Sequence, residues 1–477
     1  MLLHNVKTAQ YLKRGSCDEI PNPIVSLLPG GSTKVTQLVK DNQPTKAELL
    51  AEINEEHQRW EAAPAADPTP YLRHYDDPAD AQKYFDYVTD TYSEYDAEKE
   101  LTVEEAKEDV NYLFDAFYYD FAFYDYFGGH TVFDQAKAEI LQELQAKDSL
   151  TCKDLQEILV KHLTFIKDGH FNINHNFPAE KEIPFFFRQV MFVKTDSGYQ
   201  NSKGKTVVSV DGHPDLDTLF KRSISKEGYL VYYPVLLKEA KFDGTEWDKH
   251  VCNEQLTVHY ADGSTDVLTA DTWRQYYKDL PKGQNTDLRQ TDGIPVFQFN
   301  SFEGSFLQEV NAAAAQMSDA AISMLDLRSN VGGYEEVAHQ WITRYSRQRI
   351  QGNGVRYDVV NPVSVAIQAH RWQTHDNILI LLSGKCSASS AEITMDLAYN
   401  LENSLIIGEN TNGCMIGNGG HVELPNSKCS VIMTSVCVYL LPEGADYFEE
   451  MRGLSPDIWV PAKEAETLAA KLMENLK

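Results

Sequence analysis

From Asp292 onward the chain alternates between two kinds of segment: IPVFQFNSF, NAAAAQMSDA, AISMLDLRSN, EEVAHQWITRYS, NILILLSG and SAEITMDLAYNL. The first, third and fifth read as strands and the others as helices. Strands that alternate with helices imply a mostly parallel sheet. In such a sheet, ligands and chemistry gather beyond the carboxyl ends of the strands. Two segments fall at such ends: LDLRSNVGG, Leu325 to Gly333, and SGKCSASSAEITM, Ser383 to Met395.

Upstream the character differs. TKAELLAEINEEHQRW reads as a helix with Thr45 as its cap, and EAAPAADPTP as a linker. LTVEEAKEDVNYLFDAFYYDF opens with the capping-box spacing Thr102 to Glu105 and sets Val110, Leu113, Phe114 and Phe117 on one helix face. KTVVSVDGHPDLDTLF and EQLTVHYADGSTDVLT alternate with strand period, and ADGS supplies a hairpin turn. The division expected is an extension and linker at 1–80, a helical cap at 81–175, a β-rich unit at 176–285 and an α/β core at 286–477. A chain of 477 residues has room for about three domains of roughly 150 residues.

Charge narrows the partners. With 43 Lys plus Arg against 71 Asp plus Glu, the net charge of −28 argues against nucleic acid or an anionic membrane surface. The cysteines Cys17, Cys152, Cys252, Cys386, Cys414, Cys429 and Cys437 are odd in number and lack C-x-x-C spacing. That pattern disfavours a disulfide scaffold and a structural zinc site. MLLHNVKTAQYLKRG is too polar for a signal sequence and no run of about 18 apolar residues occurs, so the chain as given reads as cytoplasmic; a processed, extracytoplasmic form would read the same way.

Three short segments bear on chemistry. Ser389-Ser390-Ala391-Glu392 opens a helix with capping-box spacing, so its residues alone leave both an ordinary cap and a nucleophile open. A hydroxyl at that place lies in the field of the helix dipole, where developing negative charge is favoured. Neither G-x-S-x-G nor S-x-x-K occurs at this serine cluster. Gly332 and Gly333 let the backbone approach a ligand and present N–H groups, as an oxyanion hole requires, although a tight turn needs the same residues. FIKDGHFNINH places His170 at a helix-to-strand junction, and its spacing to His175 matches no zinc motif.

Together and in this order, LDLRSNVGG, SASSAEI, GLSPDIWV and DGH resemble the signature blocks of the C-terminal processing and tricorn-type serine peptidases, over roughly Leu101 to Val460. The resemblance implies a ClpP/crotonase-like α/β core with a helical cap. It also implies a PDZ-like middle domain, here degenerate, since GKTVVSVDG is similar to one PDZ stretch while the carboxylate-binding loop is lacking. It implies Ser389 as nucleophile, with the N–H groups of Ser390 and of Gly332 or Gly333 as oxyanion donors. Processing peptidases use a lysine where this chain has Cys414, and Lys428 lies beyond that block. The tricorn branch instead uses a histidine and a glutamate, matched by His170 and Glu450. That branch has a serine before its histidine where this chain has Gly169, so either Glu450 reaches the imidazole by another route, such as a water or Asp168, or the network is incomplete. The expectation is a serine peptidase acting on peptides or unstructured protein segments, without metal or cofactor, with a homo-oligomer among its states. A carrier of peptides or apolar ligands on the same scaffold, or an esterase for small substrates, is the alternative. Arg328 is expected to brace its turn and not to bind substrate.

Overall fold

The run Ile378–Ser383 is apolar at five successive positions, and a strand of that kind needs cover on both faces. A computed structural model describes residues 35–476 apart from 62, 65, 242–253, 272–284 and 361–371. Cys17, Cys252 and the first 34 residues of the N-terminal extension lie outside the described residues.

Helix α1 (Lys46–Gln58) starts at Thr45, whose hydroxyl accepts the Glu48 N–H while the Glu48 carboxylate accepts the Thr45 N–H. The same reciprocal cap, at Thr102 and Glu105, opens α2 (Val103–Asp120). Helices α3 (Gly129–Gln145) and α4 (Cys152–His162) follow. Just past His170 comes a two-residue strand, β1 (Asn172–Ile173). The chain then enters the β-rich unit through β2 (Lys181–Phe186), which pairs antiparallel with β3 (Leu230–Ala240). A second sheet there joins Val207–Val210 to the hairpin of Gln255–Tyr260 and Thr265–Thr269. Ile183, Phe185, Phe192, Leu256 and Val258 fill the space between.

The remaining chain builds the main sheet from β4 (Thr286–Thr291), β5 (Ile294–Phe299), helix α5 (Leu307–Met317), β6 (Ile322–Asp326), helix α6 (Glu335–Ser346), β7 (Ile378–Ser383), helix α7 (Ser390–Ala398) and β8 (Ser404–Gly408). A hairpin, β9 (Gly417–Glu423) and β10 (Ser430–Leu440), precedes the last strand, β11 (Ile458–Trp459), and helix α8 (Ala465–Asn475). The strand order is β4-β5-β6-β7-β8-β11, with only β4 antiparallel to its neighbour. Alternate side chains point to opposite faces. Leu379 and Leu381 pack with Val310, Trp341 and Met395 of α5, α6 and α7, while Ile380 and Leu382 pack with Leu49 and Ile53 of α1 and Leu468 of α8. The first helix is thus part of the cover of the sheet.

The hairpin leaves the main sheet for the cap. Its Val422, Val431 and Met433 share one core with Val110, Leu113 and Phe117 of α2, Phe133 of α3 and Leu155 of α4. There β10 pairs with β1, Ile173 opposite Val431 and Asn172 opposite Ile432. That short pairing anchors the chain just after His170 to a strand from the far end of the sequence.

Candidate active site

Strand β7 ends at Ser383, and six residues later the chain turns into α7 through Ser389, whose φ of +54° lies in the left-handed region. A non-glycine residue held there is strained, and the surroundings explain how it is held. The Ser387 hydroxyl donates to Leu327 O, Ala388 N–H donates to Asn330 O, and Ser389 N–H donates to the Glu392 carboxylate. Glu392 is fully buried and also accepts the N–H groups of Gly413 and Cys414 and the hydroxyl of Thr411. Its carboxylate therefore has donors on both oxygens, which is what makes a buried negative charge tolerable.

The end of β6 lies alongside. Asn330 donates through Nδ2 to Phe299 O and accepts the Gly332 N–H through Oδ1, each within 2.8 Å. Gly332 has φ +95°, and a Cβ there would stand 2.8 Å from the Cβ of Ser389. Gly333, at φ +131°, presses on Phe302, whose carbonyl oxygen would be 2.6 Å from a Cβ. Both positions require glycine. The Gly332 N–H is thus given to Asn330. The Ser390 hydroxyl donates to Gly333 O and closes the loop.

His170 reaches this serine from the cap. Its Nε2 lies 3.2 Å from Ser389 Oγ, across 219 residues of sequence. Its Nδ1 is buried without a protein partner, 4.0 Å from Asp168 Oδ1. Asp168 is itself anchored, accepting the His170 N–H, the Thr434 hydroxyl and the Thr434 N–H. Burial pulls the His170 pKa down, while the Asp168 charge pushes it up.

Glu450 does not touch the imidazole: its Oε1 accepts the Gly169 N–H at 2.8 Å and its Oε2 the Ile416 N–H at 3.3 Å. Burial first, and then the Asp168 and Glu392 charges, push its carboxyl well above the usual range. Gly169 is glycine for a steric reason, because a Cβ would lie 1.9 Å from Gly413 O and 2.7 Å from the Cα of Cys414. The link that a serine hydroxyl could make to the glutamate is made here by a main-chain N–H. Cys414 is buried and its thiol pKa is raised by burial, while Lys428 pairs with Glu423 on the cap hairpin. Arg328 is buried between Asp326, Glu466 and Ala462 O, a brace beneath the strand ends.

Two buried lysines escaped the sequence reading. Lys385 Nζ donates to the carbonyls of Thr411, Asn412 and Arg452, and burial holds its pKa well below normal. Lys181 Nζ donates to Gly169 O and to Asn412 Oδ1. Neither lies in a recognisable motif; the one available sign was Lys385 inside SGKCSASS. No group of three or more side chains suited to a metal occurs among the described residues, and no described helix is long and apolar enough to cross a membrane.

A strained serine at the mouth of an α/β sheet with a histidine nitrogen on its hydroxyl has the form of a hydrolase site, and the chain is a serine peptidase. Residues 293–460 match the family model described as Peptidase family S41. No curated protein sequence matches the chain. Among solved structures it is similar to mature CPAF (12% identity, TM-score 0.42, 78% of this chain and 96% of that one). It is also similar to the photosystem II D1 C-terminal processing protease (14%, TM-score 0.36, 78% and 97%) and to the tricorn protease (11%, TM-score 0.35, 79% and 37%).

Proposed function

We propose that the chain hydrolyses peptides or unstructured protein segments through an acyl-enzyme on Ser389, as a Ser-His-Glu and not a Ser-Lys peptidase. The observation that supports this most is the 3.2 Å approach of His170 Nε2 to Ser389 Oγ. Ser389 attacks the substrate carbonyl carbon, and its proton passes to His170. The carbonyl oxygen, now negative, meets the N–H groups of Gly333 and Ser390. His170 then gives the proton to the leaving amine, and water repeats the sequence to release the acyl group. Glu450 acts as the supporting carboxylate through Gly169, fixing the loop of the base, while Asp168 faces Nδ1. The same reading takes the core as ClpP/crotonase-like and the β-rich unit as a degenerate PDZ-like domain.

A short stretch of strand edge at Gly419 favours an extended chain over a small ester. Thr434 gives its N–H to Asp168 and accepts from Ala122 N–H, both away from β9. Its partner Gly419 therefore also points its N–H and C=O away from β10, onto the outer edge of β9, where the next outward carbonyl, that of His421, already accepts the Thr89 N–H. Gly419 is exposed, and a Cβ there would stand 3.4 Å from the His170 ring. An extended segment can pair with such an edge.

The test is labelling with a fluorophosphonate at neutral pH, with peptide mapping, on wild type, Ser389→Ala and His170→Ala. Modification at Ser389 that vanishes in Ser389→Ala and slows by about 10²–10⁴-fold in His170→Ala is expected. Folded wild type that is not labelled, or is labelled elsewhere, sinks the assignment.

A further inference from the structure

Lys181 has no solvent exposure, a rare state for a lysine unless its ammonium is fully engaged. It stands at the start of β2, in the β-rich unit, and not in the cap or the main sheet. Its Nζ donates to the carbonyl of Gly169, the residue before His170, at 2.8 Å, and also to Asn412 Oδ1. The Phe177 ring covers it, with the ring centroid 4.4 Å from Nζ. Asn412 in turn gives its N–H to Ser387 O at 2.8 Å and its Nδ2 hydrogen to Lys385 O at 3.1 Å, both in the loop that leads to Ser389. The strand end that carries Lys181 is itself fixed, since Glu182 N–H donates to Met451 O and Asn410 Nδ2 donates to Glu182 O.

We propose that Lys181 is a positioning residue for the peptidase reaction, joining the loop of the base to the loop of the nucleophile and setting a positive charge behind the imidazole. This rests on the reading of His170 and Ser389 as base and nucleophile. The tether matters because a base misplaced by about 1 Å can cost on the order of 10²-fold in rate. The charge matters because His170 can accept a proton only when neutral. Asp168 and Glu392 face it and favour the imidazolium; burial and Lys181 oppose them. Glu450 is engaged by the Gly169 N–H and Lys385 by the Thr411 carbonyl, and burial raises the pKa of the Cys414 thiol.

Two substitutions separate tether from charge. Lys181→Met removes both at similar volume; Lys181→Gln keeps a donor and removes the charge. The rate of fluorophosphonate labelling at Ser389, followed against pH, reads both effects. Lys181→Met is expected to slow labelling on the order of 10²-fold. In both variants the acid limb should move to higher pH, because loss of the positive charge makes His170 easier to protonate. The loss is then larger in mildly acidic buffer than in alkaline buffer. A lysine that merely supports the fold would lower thermal stability and leave the limb in place. If Lys181→Met does not fold, the limb of Lys181→Gln decides. Wild type labelled at Ser389 with a folded variant titrating as wild type overturns the proposal alone; wild type without labelling removes the catalytic reading beneath it.

Discussion

The serine side and the histidine side of the site are built in opposite ways. Ser389, Gly332 and Gly333 sit on loops that leave adjacent parallel strands, and Asn330 bonds those loops directly. His170 depends on three parts of the fold: α4 and β1 of the cap, Lys181 of the β-rich unit, and the Thr434 region of β10, which lies more than 200 residues further along the chain. The serine is placed by the sheet, whereas the histidine is placed by the assembly of the whole chain. Perturbation of the cap should therefore silence the base while the nucleophile loop keeps its shape.

Gly169→Ala is the strongest challenge to that contrast. The added methyl meets Gly413 O and the Cα of Cys414, main-chain atoms that cannot yield without moving the loop beside Ser389 or expelling His170. A loss of peptidase activity on the order of 10²-fold or more, with a lower Tm, is expected in stopped assays and thermal scans. Unchanged activity would mean that the base loop is not held as described.

Asp168→Asn is the next in size and sharpens the electrostatics. Its carboxylate raises the His170 pKa, so its removal should let His170 stay neutral to lower pH and move the acid limb of kcat/KM downward. That is opposite to the shift expected at Lys181. The amide oxygen can keep the His170 N–H and the Thr434 hydroxyl, both held on Oδ1, but an NH2 in place of Oδ2 faces the Thr434 N–H as a second donor, so stability should fall by about 1–3 kcal/mol, measured by urea titration. An acid limb that rises in Asp168→Asn would break the account of His170. The smallest effect is expected at Lys428→Ala: its ion pair with Glu423 lies on the cap hairpin and is worth about 0–1 kcal/mol. A substantial fall in activity there would show that a lysine outside the site takes part after all.

The same division marks what could be read from the sequence. IPVFQF, ISMLD and ILILLS formed the parallel strands expected of them, because continuous apolar runs have few other stable outcomes. The caps at Thr45 and Thr102 were legible since they depend on residues three positions apart. The hairpin at 417–440 was not placed in the cap, because strand period gives a face but no partner. For the same reason Lys181 carried no signal, and Asp168, although part of the DGH block, gave no sign of its anchor: their roles arise from contacts with Asn412 and Thr434, more than 200 residues away in sequence. Glu392 looked like a cap residue and proved to be the acceptor around which the 411–414 segment folds.

The pairing of β1 with β10 has one more effect, on the safety of the enzyme's own chain. His170 is synthesised early and Ser389 late, and the strand that steadies the histidine follows the serine by some 40 residues. A partly made or partly loosened molecule holds the two groups apart. Under the proposed function, an enzyme that cuts loose polypeptide would thereby be disarmed whenever it is itself loose, and neighbouring copies that are still folding would be spared until each has closed around its own histidine.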